Sequence, residues 1–487
     1  MIAQPSQAIP ENALPQASEL CRRPATDLVR MIARRQVSVA EVAAAFLDRI
    51  EQVNGAVNAI VSLRDRHDIL AEAAEADAAL ARGASPGPLF GLPIAIKDLA
   101  LTKGLRTTFG SRIFAEFVPN EDDFFVERMR EAGAIIIGKT NVPEFGLGSQ
   151  TYNEVFGPTR NAFDQCLTSG GSSGGAAAAL ALNMLPLADG SDFCGSLRNP
   201  AAFNNIFGFR PSQGRVPAGP QPEMFVAQMG VEGPMARNVA DLALLLGVQA
   251  GYDPRAPLSL DGGFPGPAEP RDRGQPWRVA WLGDLGGDLP MEDGILDLCE
   301  AALHRAEAGP FRVEPFVPDI DFERLWWAFI ALRQSTSGAA LKVYYDNPGQ
   351  RDLLKPEAIW EIEGALGLTA VQVYAASTVR SGWYKAVLGL FERHDLLALP
   401  TAQVFPFDAA IHWPTEIAGR AMDSYHRWME VTAFATLAGC PAISVPVGFD
   451  ARGRPMGMQL IGRPRGDAAV LGAAASYEQV CAIVAGV

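Results

Sequence analysis

The chain has 487 residues and a net charge of −14, from 41 basic and 55 acidic side chains. With 48% hydrophobic and 20% charged residues, it has the composition of a globular protein with a sizeable core. No run of five or more lysines or arginines occurs, so nucleic acid is excluded as an expected partner, and the acidic balance serves solubility.

Residues 1–20, rich in Pro, Gln, Ala and Glu, are expected to form a mobile tail, followed by one compact domain over 21–487. The start, Met1-Ile2-Ala3-Gln4-Pro5, lacks the basic-then-apolar pattern of a secretory signal. No apolar run approaches the roughly 18 residues that cross a bilayer. The six cysteines (Cys21, Cys166, Cys194, Cys299, Cys440, Cys481) form no close pairs. They read as reduced thiols rather than a disulfide frame or zinc site, and a cytoplasmic protein without membrane contact is expected.

Residues 26–82 read as helices. Ser38 and Glu41 have the spacing of a capping box. Val42, Ala45, Phe46 and Ile50 then mark one buried face, and Ala71–Ala81 is rich in helix formers. Gly87-Pro88 ends that pattern, and Leu92–Ile96 reads as a buried strand with Lys97-Asp98 at its end. Ala134–Ile137 is a second buried strand. Thr151–Gly175 reads as loop, Ala176–Leu182 as helix, Phe207–Pro217 as irregular and Val239–Leu246 as helix. The Pro- and Gly-rich stretch 251–277 reads as a surface crossing, and Val279–Leu282 starts another strand. Residues 321–345 and 370–391 are long helices with many aromatics. Leu396–Pro400 and Ile443–Val447 are short buried strands. Alternating strands and helices without a linker or repeat predict one α/β domain, with a central mixed, twisted sheet covered by helices on both faces.

Three segments carry chemistry. Gly170-Gly171-Ser172-Ser173-Gly174-Gly175 places two serines among four glycines just before an Ala-rich helix. Alone, it reads equally well as a flexible turn. In Asp189–Pro200, Ser196 follows Gly195 in a short polar turn, where a hydroxyl can stand beside free backbone N–H groups able to hold an oxyanion. Lys97 closes an apolar strand; if buried, its amine loses its charge easily and becomes a base for a serine, whose own hydroxyl is a weak nucleophile.

Two motif matches are set aside. Gly133–Thr140 has the spacing of a phosphate-binding loop, but its middle residues are apolar and β-prone, so they belong in a strand. Gly171–Gly175 has the spacing of a nucleophile elbow centred on Ser173, but Phe163–Thr168 is a poor preceding strand. That alternative also needs a histidine, and His304, His394, His412 and His426 read as surface or packing residues.

Taken together, these segments resemble the amidase signature family. Gly87–Asp98 looks like its lysine segment, followed by Thr107–Ser111. Asn153, Gly157 and Asn161 lead to the Gly/Ser loop. Gly233–Arg237, Asp241, Leu399–Thr401, Gly439–Gly448, Pro455, Gly457, Gln459–Gly462 and Tyr477-Glu478 extend the likeness from about residue 26 to about 480. Its most specific part is the separation of Ser172 from Ser196, 24 residues.

The resemblance implies a serine amidohydrolase cutting carbon–nitrogen bonds. Ser196 matches the nucleophile, Ser172 the relay serine with a cis peptide bond, and Lys97 the neutral base. The N–H groups of Phe193, Cys194, Gly195 and Ser196 match the oxyanion hole, while Ser173, Asp192 and Arg198 match positions that hold the loops. Neither metal nor cofactor is implied. Where the family often has glycine, this chain has Cys194, whose side chain is expected to narrow the pocket or reorient the turn; without an activating His or basic neighbour it is not expected to act as the nucleophile.

Outside the motifs, Trp326, Trp327, Phe329, Tyr344 and Tyr345, and then Phe405, Phe407, Trp413, Tyr425 and Trp428, form two aromatic groups. Each residue alone reads as core; together they favour a hydrophobic or aryl amide substrate. A carbamate (urethane) or ester is the first alternative, and a glutaminase-like component of a tRNA-dependent amidotransferase complex the second. A monomer or homodimer is expected.

Overall fold

Ser38 Oγ accepts from Glu41 N at 3.1 Å while the Glu41 carboxylate accepts from Ser38 N at 2.8 Å, closing the expected capping box. The helix it starts, Val39–Val57, buries Val42, Phe46 and Ile50. The structure, a computed structural model, describes residues 14–269, 271–272 and 274–481. Residues 1–13 of the expected tail lie outside the described residues. From Leu14 onward the largely exposed segment is anchored at points: Pro15 O accepts from Arg49, Ser18 caps the helix Glu19–Arg22, and Ala17 and Cys21 are buried.

The strands are β1 (Ile60–Val61), β2 (Pro93–Lys97), β3 (Ile135–Thr140), β4 (Ala188–Asp192), β5 (Phe207–Arg210), β6 (Val231–Ala236), β7 (Trp277–Trp281), β8 (Phe311–Pro315), β9 (Leu396–Pro400), β10 (Glu416–Ile417), β11 (Arg420–Ala421), β12 (Ala442–Phe449) and β13 (Pro455–Gly462). The main sheet has eight of them in the order β4-β6-β5-β12-β13-β9-β7-β8. It is antiparallel from β4 to β9 and parallel from β9 to β8. Helices Arg198–Phe203, Ile295–Ala306 and Asp467–Val480 pack on β12 and β13, and Val239–Gln249 packs on β5 and β6. The expected mixed sheet flanked by helices in one compact domain is present.

Two local readings change, and the lysine strand proves to lie outside the main sheet. Lys97 belongs not to the main sheet but to a small one of order β1-β3-β2, in which β2 runs parallel to β3. Lys97 N donates to the Asp189 carboxylate at 3.1 Å, tying β2 to β4. Asp189–Asp192, read as part of a polar turn, is β4, and Phe207–Arg210, read as irregular, is β5. The residues Asp-Gly-Ser-Asp have little strand preference of their own; pairing with β6 in a buried setting overrides it. Gly133–Thr140 falls largely in β3, so the rejected phosphate loop is a strand.

The helix expected over 321–345 is interrupted. Phe322–Arg333 passes through a π-helical turn at Gln334–Gly338 before Ala339–Tyr345. A side chain at Gly338 would stand 2.2 Å from Glu361 O, so only glycine allows this turn to lie against the helix Pro356–Gly367. The second long helix spans Ala370–Arg393 and packs along Phe322–Arg333.

Candidate active site

Apolar side chains carry β2 into the interior: Ile94, Ala95 and Ile96 are fully buried, and the strand delivers Lys97 at 1% exposure. Such a lysine must satisfy its amine with protein partners. Lys97 Nζ lies 2.8 Å from Ser172 Oγ, 2.8 Å from Ser173 Oγ and 2.9 Å from Ser191 Oγ. All three partners are neutral. Burial lowers the lysine's pKa, while the more distant carboxyls of Glu232, Asp189 and Asp192 pull it back. Ser173 therefore does more than hold a loop, since it touches the amine directly. Ser191 was not foreseen; the Gly190-Ser191-Asp192 run has no signal of its own until strand pairing turns Ser191 toward Lys97.

The two serines are held by close backbone packing. Gly170 has φ +72°, and a Cβ there would stand 2.7 Å from Asn199 Oδ1. Thr151 N and Thr151 Oγ1 donate to Gly170 O at 3.0 and 2.9 Å, and Ser149 Oγ donates to Gly171 O at 2.6 Å. The Gly171–Ser172 peptide is cis. The helix Gly174–Ala181 begins directly after the pair. No strand leads directly into the loop among the described residues: Thr168 takes part only in an isolated bridge with Arg160, which leaves the elbow reading without its scaffold.

The Ser196 turn is clamped from below. Asp192 accepts from Arg198 Nε at 2.9 Å and Nη2 at 3.1 Å, and from Arg210 Nη1 at 3.2 Å. All three side chains are fully buried. Burial opposes ionisation of Asp192, but the two guanidinium groups win and hold its carboxyl well below the usual range. Arg198 reaches on to Gln459 Oε1 at 2.6 Å and Thr432 O at 3.0 Å, linking the turn to β13. Arg210, on β5, was not foreseen.

Gly195 N donates to Asp192 Oδ1 at 2.8 Å. That corrects the expectation that it joins an oxyanion hole, because its hydrogen is aimed into the clamp. The N–H groups of Phe193, Cys194 and Ser196 have no such partner among the described residues. Ser196 O accepts from Ser173 N at 3.2 Å, fastening the two serine segments together. Ser196 Oγ is not hydrogen-bonded to Ser172, but both residues line the same cleft. Cys194 Sγ faces Thr432 Oγ1 at 3.4 Å, and burial pushes its pKa up to about 11, opposite to an activated thiol.

The cleft has a volume of about 440 Å³. Phe109, Phe145 and Phe193 supply its aromatic walls, and Arg333, Ser337, Ala340 and Leu341 its roof. The roof residues recur at helical spacing, so the broken helix 322–345 turns one face to the cleft. The two aromatic groups expected to shape substrate binding contribute mainly to the interior. Trp326 and Phe329 stack at 5.1 Å and are buried, as are Phe405, Tyr425 and Trp428. Tyr344 backs the cleft by stacking on Phe145 at 5.7 Å, and Phe329 meets Phe193 edge-on at 6.3 Å. Arg333 was missed: its Nε donates to Glu361 at 2.6 Å and its guanidinium lies 4.8 Å over the Phe193 ring.

The four histidines weighed for the elbow, among the five of the chain, are engaged or exposed elsewhere. His394 bonds Leu390 O and Glu314, His426 is buried beside Glu361, His304 is exposed, and His412 stacks on Tyr152. The cleft instead offers a hydroxyl, a second hydroxyl bonded to a buried amine of lowered basicity, and free backbone donors. That set suits nucleophilic acyl transfer.

The family model described as "Amidase" matches residues 41–471. An acylamidase of Rhodococcus erythropolis is 34% identical, over 94% of this chain and 95% of its own. A glutamyl-tRNA(Gln) amidotransferase subunit of Moorella thermoacetica is 35% identical, over 95% of this chain and 97% of its own. Among solved structures, a bacterial aryl acylamidase of the amidase signature enzymes superposes with a TM-score of 0.87 at 28% identity, covering 95% of this chain and 97% of that one.

Proposed function

The chain belongs to the amidase signature family and hydrolyses carbon–nitrogen bonds other than peptide bonds, and from that premise we propose that Lys97, Ser172 and Ser196 form its catalytic triad, acting on a hydrophobic or aryl amide. Ser196 Oγ attacks the carbonyl carbon. Its proton passes to Ser172, whose own proton passes to the neutral amine of Lys97. The negative oxygen is held by the N–H groups of Phe193, Cys194 and Ser196. The C–N bond then breaks as the proton returns from Lys97 through Ser172 to the leaving nitrogen. Water hydrolyses the ester on Ser196 by the same relay. The observation that carries this reading is the 2.8 Å contact between buried Lys97 Nζ and Ser172 Oγ, on the wall of the cleft that Ser196 shares.

The substrate class rests on the three phenylalanines of the cleft and on the likeness to an acylamidase and an aryl acylamidase. An aryl carbamate or ester presents the same acyl carbon to the same groups. Identity of 35% to the Moorella amidotransferase protein favours a second reading, in which glutamine is the amide and a partner receives the ammonia. Purified enzyme tested on anilides, aliphatic amides, aryl carbamates, esters and glutamine separates these. Anilide turnover well above glutamine supports the first reading, and glutamine as the best substrate replaces it with the second. Ser196→Ala is expected to abolish turnover with an unchanged melting temperature; retained turnover defeats the triad.

A further inference from the structure

Two carboxyls stand on the cleft wall, Asp192 and Glu232. Asp192 is neutralised by Arg198 and Arg210. Glu232 makes no side-chain hydrogen bond or ion pair among the described residues. Its place follows from strand register: β6 sets Glu232 directly opposite Ser191 on β4. Directly opposed residues put their side chains on one face of a sheet, with Cβ atoms about 4.5–5.5 Å apart. Ser191 Oγ is itself 2.9 Å from Lys97 Nζ. Glu232 thus lies across the strand pair from the serine that contacts the amine, beyond ion-pair distance of the amine itself.

We propose that Glu232 is a positioning residue that sets the basicity of Lys97, holding a carboxyl on the cleft wall across the strand pair from the serine that contacts the amine. The inference rests on the reading of Lys97 as the base. A negative Glu232 favours the ammonium form of Lys97, and so draws the proton that leaves Ser196 through Ser172. Burial works against both charges, pushing the Glu232 carboxyl up and the Lys97 amine down, which brings their titrations toward one another.

The other charged groups around Lys97 are placed differently. Asp189 on β4 accepts from the Lys97 backbone N and faces Lys139, and burial pushes it up to about 6. Lys139 on β3 donates to Ala100 O and Thr102, and burial pushes it down to about 8. Asp98, beyond Lys97, is engaged by Thr108 and is pushed up by burial. Asp123, just before the helix Phe124–Glu131, is pushed up to about 8 by burial. Arg333, in the roof, is paired with Glu361. Of these groups, Glu232 alone combines a cleft position with an unpaired carboxyl.

The test needs no natural substrate. A fluorophosphonate reacts with Ser196 by forming an O–P bond and expelling fluoride, with the serine proton taken by the base. Its labelling rate is measured against pH for wild type, Glu232→Gln, Glu232→Thr and Glu232→Asp. Threonine suits a strand, so it is a second neutral variant should the amide fail to fold. The wild-type rate falls on the acid side as Lys97 protonates. Both neutral variants are expected to move that limb to lower pH by about one unit and to lower the plateau, because the lysine becomes a weaker base. Glu232→Asp keeps the charge and holds the limb near wild type. A limb that stays in place in the neutral variants, or that moves equally in the aspartate variant, overturns the proposal. Lys97→Ala separates the underlying reading: an unchanged labelling rate there defeats Lys97 as base, whereas lost labelling with an immovable limb in the Glu232 variants defeats this inference alone.

Discussion

Ser173 Oγ lies 2.8 Å from Lys97 Nζ, the same distance as Ser172 Oγ. The amine does not choose between the two hydroxyls by distance. Position decides: Ser172 lines the cleft with Ser196, while Ser173 is fully buried and leans toward Ser191 O at 3.4 Å. Ser172→Ala is therefore expected to lower kcat/KM by about 10²- to 10⁴-fold, the usual worth of a proton-transfer group. Ser173→Ala removes one anchor of Lys97 and is expected to cost about tenfold, near 1.4 kcal/mol. Steady-state kinetics on an anilide check this, and a larger loss in Ser173→Ala would transfer the relay to Ser173.

The Asp192 clamp predicts a stability effect with a definite pH dependence. Asp192→Asn leaves Arg198 and Arg210 buried beside a neutral group, and breaking such a pair costs about 3–5 kcal/mol. The native carboxyl titrates well below its unfolded value of about 3.9, so its contribution is complete above that value and is lost as pH falls through the native pKa. Urea unfolding at neutral pH should show the full gap between variant and wild type. The gap should shrink progressively below about pH 4, and a gap that widened in acid would contradict the charge assignment.

How much of this site could be read in advance depended on how each residue reaches it. Lys97, Ser172 and Ser196 sit in segments whose glycines, prolines and spacing are themselves unusual, so they stand out without a structure. Glu232, Arg210 and Ser191 are brought in by strand pairing between β4, β5 and β6, and β4 has almost no strand preference in its own residues. Arg333 arrives on a helix broken by a π-helical turn that depends on contact with the helix Pro356–Gly367. The aromatic groups misled for a related reason. Composition shows that aromatics cluster, but which of them face a cleft depends on long-range packing; Phe109 and Phe193 come from the motif segments instead, and Phe145 from the short turn Glu144–Gly146 after β3. Strands β9 and β12 were plain because apolar runs announce themselves at any position.

Cys194 is expected to be a packing residue. It is 2% exposed, and burial pushes its thiol up to about 11. At neutral pH almost no thiolate forms, so iodoacetamide should modify exposed Cys166 and leave Cys194 unlabelled in the native protein. Cys194→Ala keeps every backbone donor of the turn and is expected to retain at least about half the activity, with a loss of about 1 kcal/mol of stability for the small void. Peptide mapping after alkylation checks the first expectation and turnover the second. Complete loss of activity in a folded Cys194→Ala protein would make the thiol part of the chemistry.

Phe145 gives the sharpest handle on substrate choice. It lines the cleft beside Leu147, has the positive φ of +50°, and stacks on Tyr344 at 5.7 Å with an interplanar angle of 6°. Tyr344 in turn meets Phe114 edge-on at 5.5 Å, so the ring is braced rather than free to swing away. A substrate ring packed on Phe145 would gain about 0.5–1.5 kcal/mol beyond the area it buries. Phe145→Leu is therefore expected to lower kcat/KM for an anilide by about tenfold while changing that for a short aliphatic amide by less than about threefold. Leucine keeps the site apolar and avoids opening a large void, so the two substrates are compared in one folded protein. Equal losses for both would mean that Phe145 supports the serine loops rather than the substrate, and the preference for aryl groups would then have to come from Phe109 and Phe193.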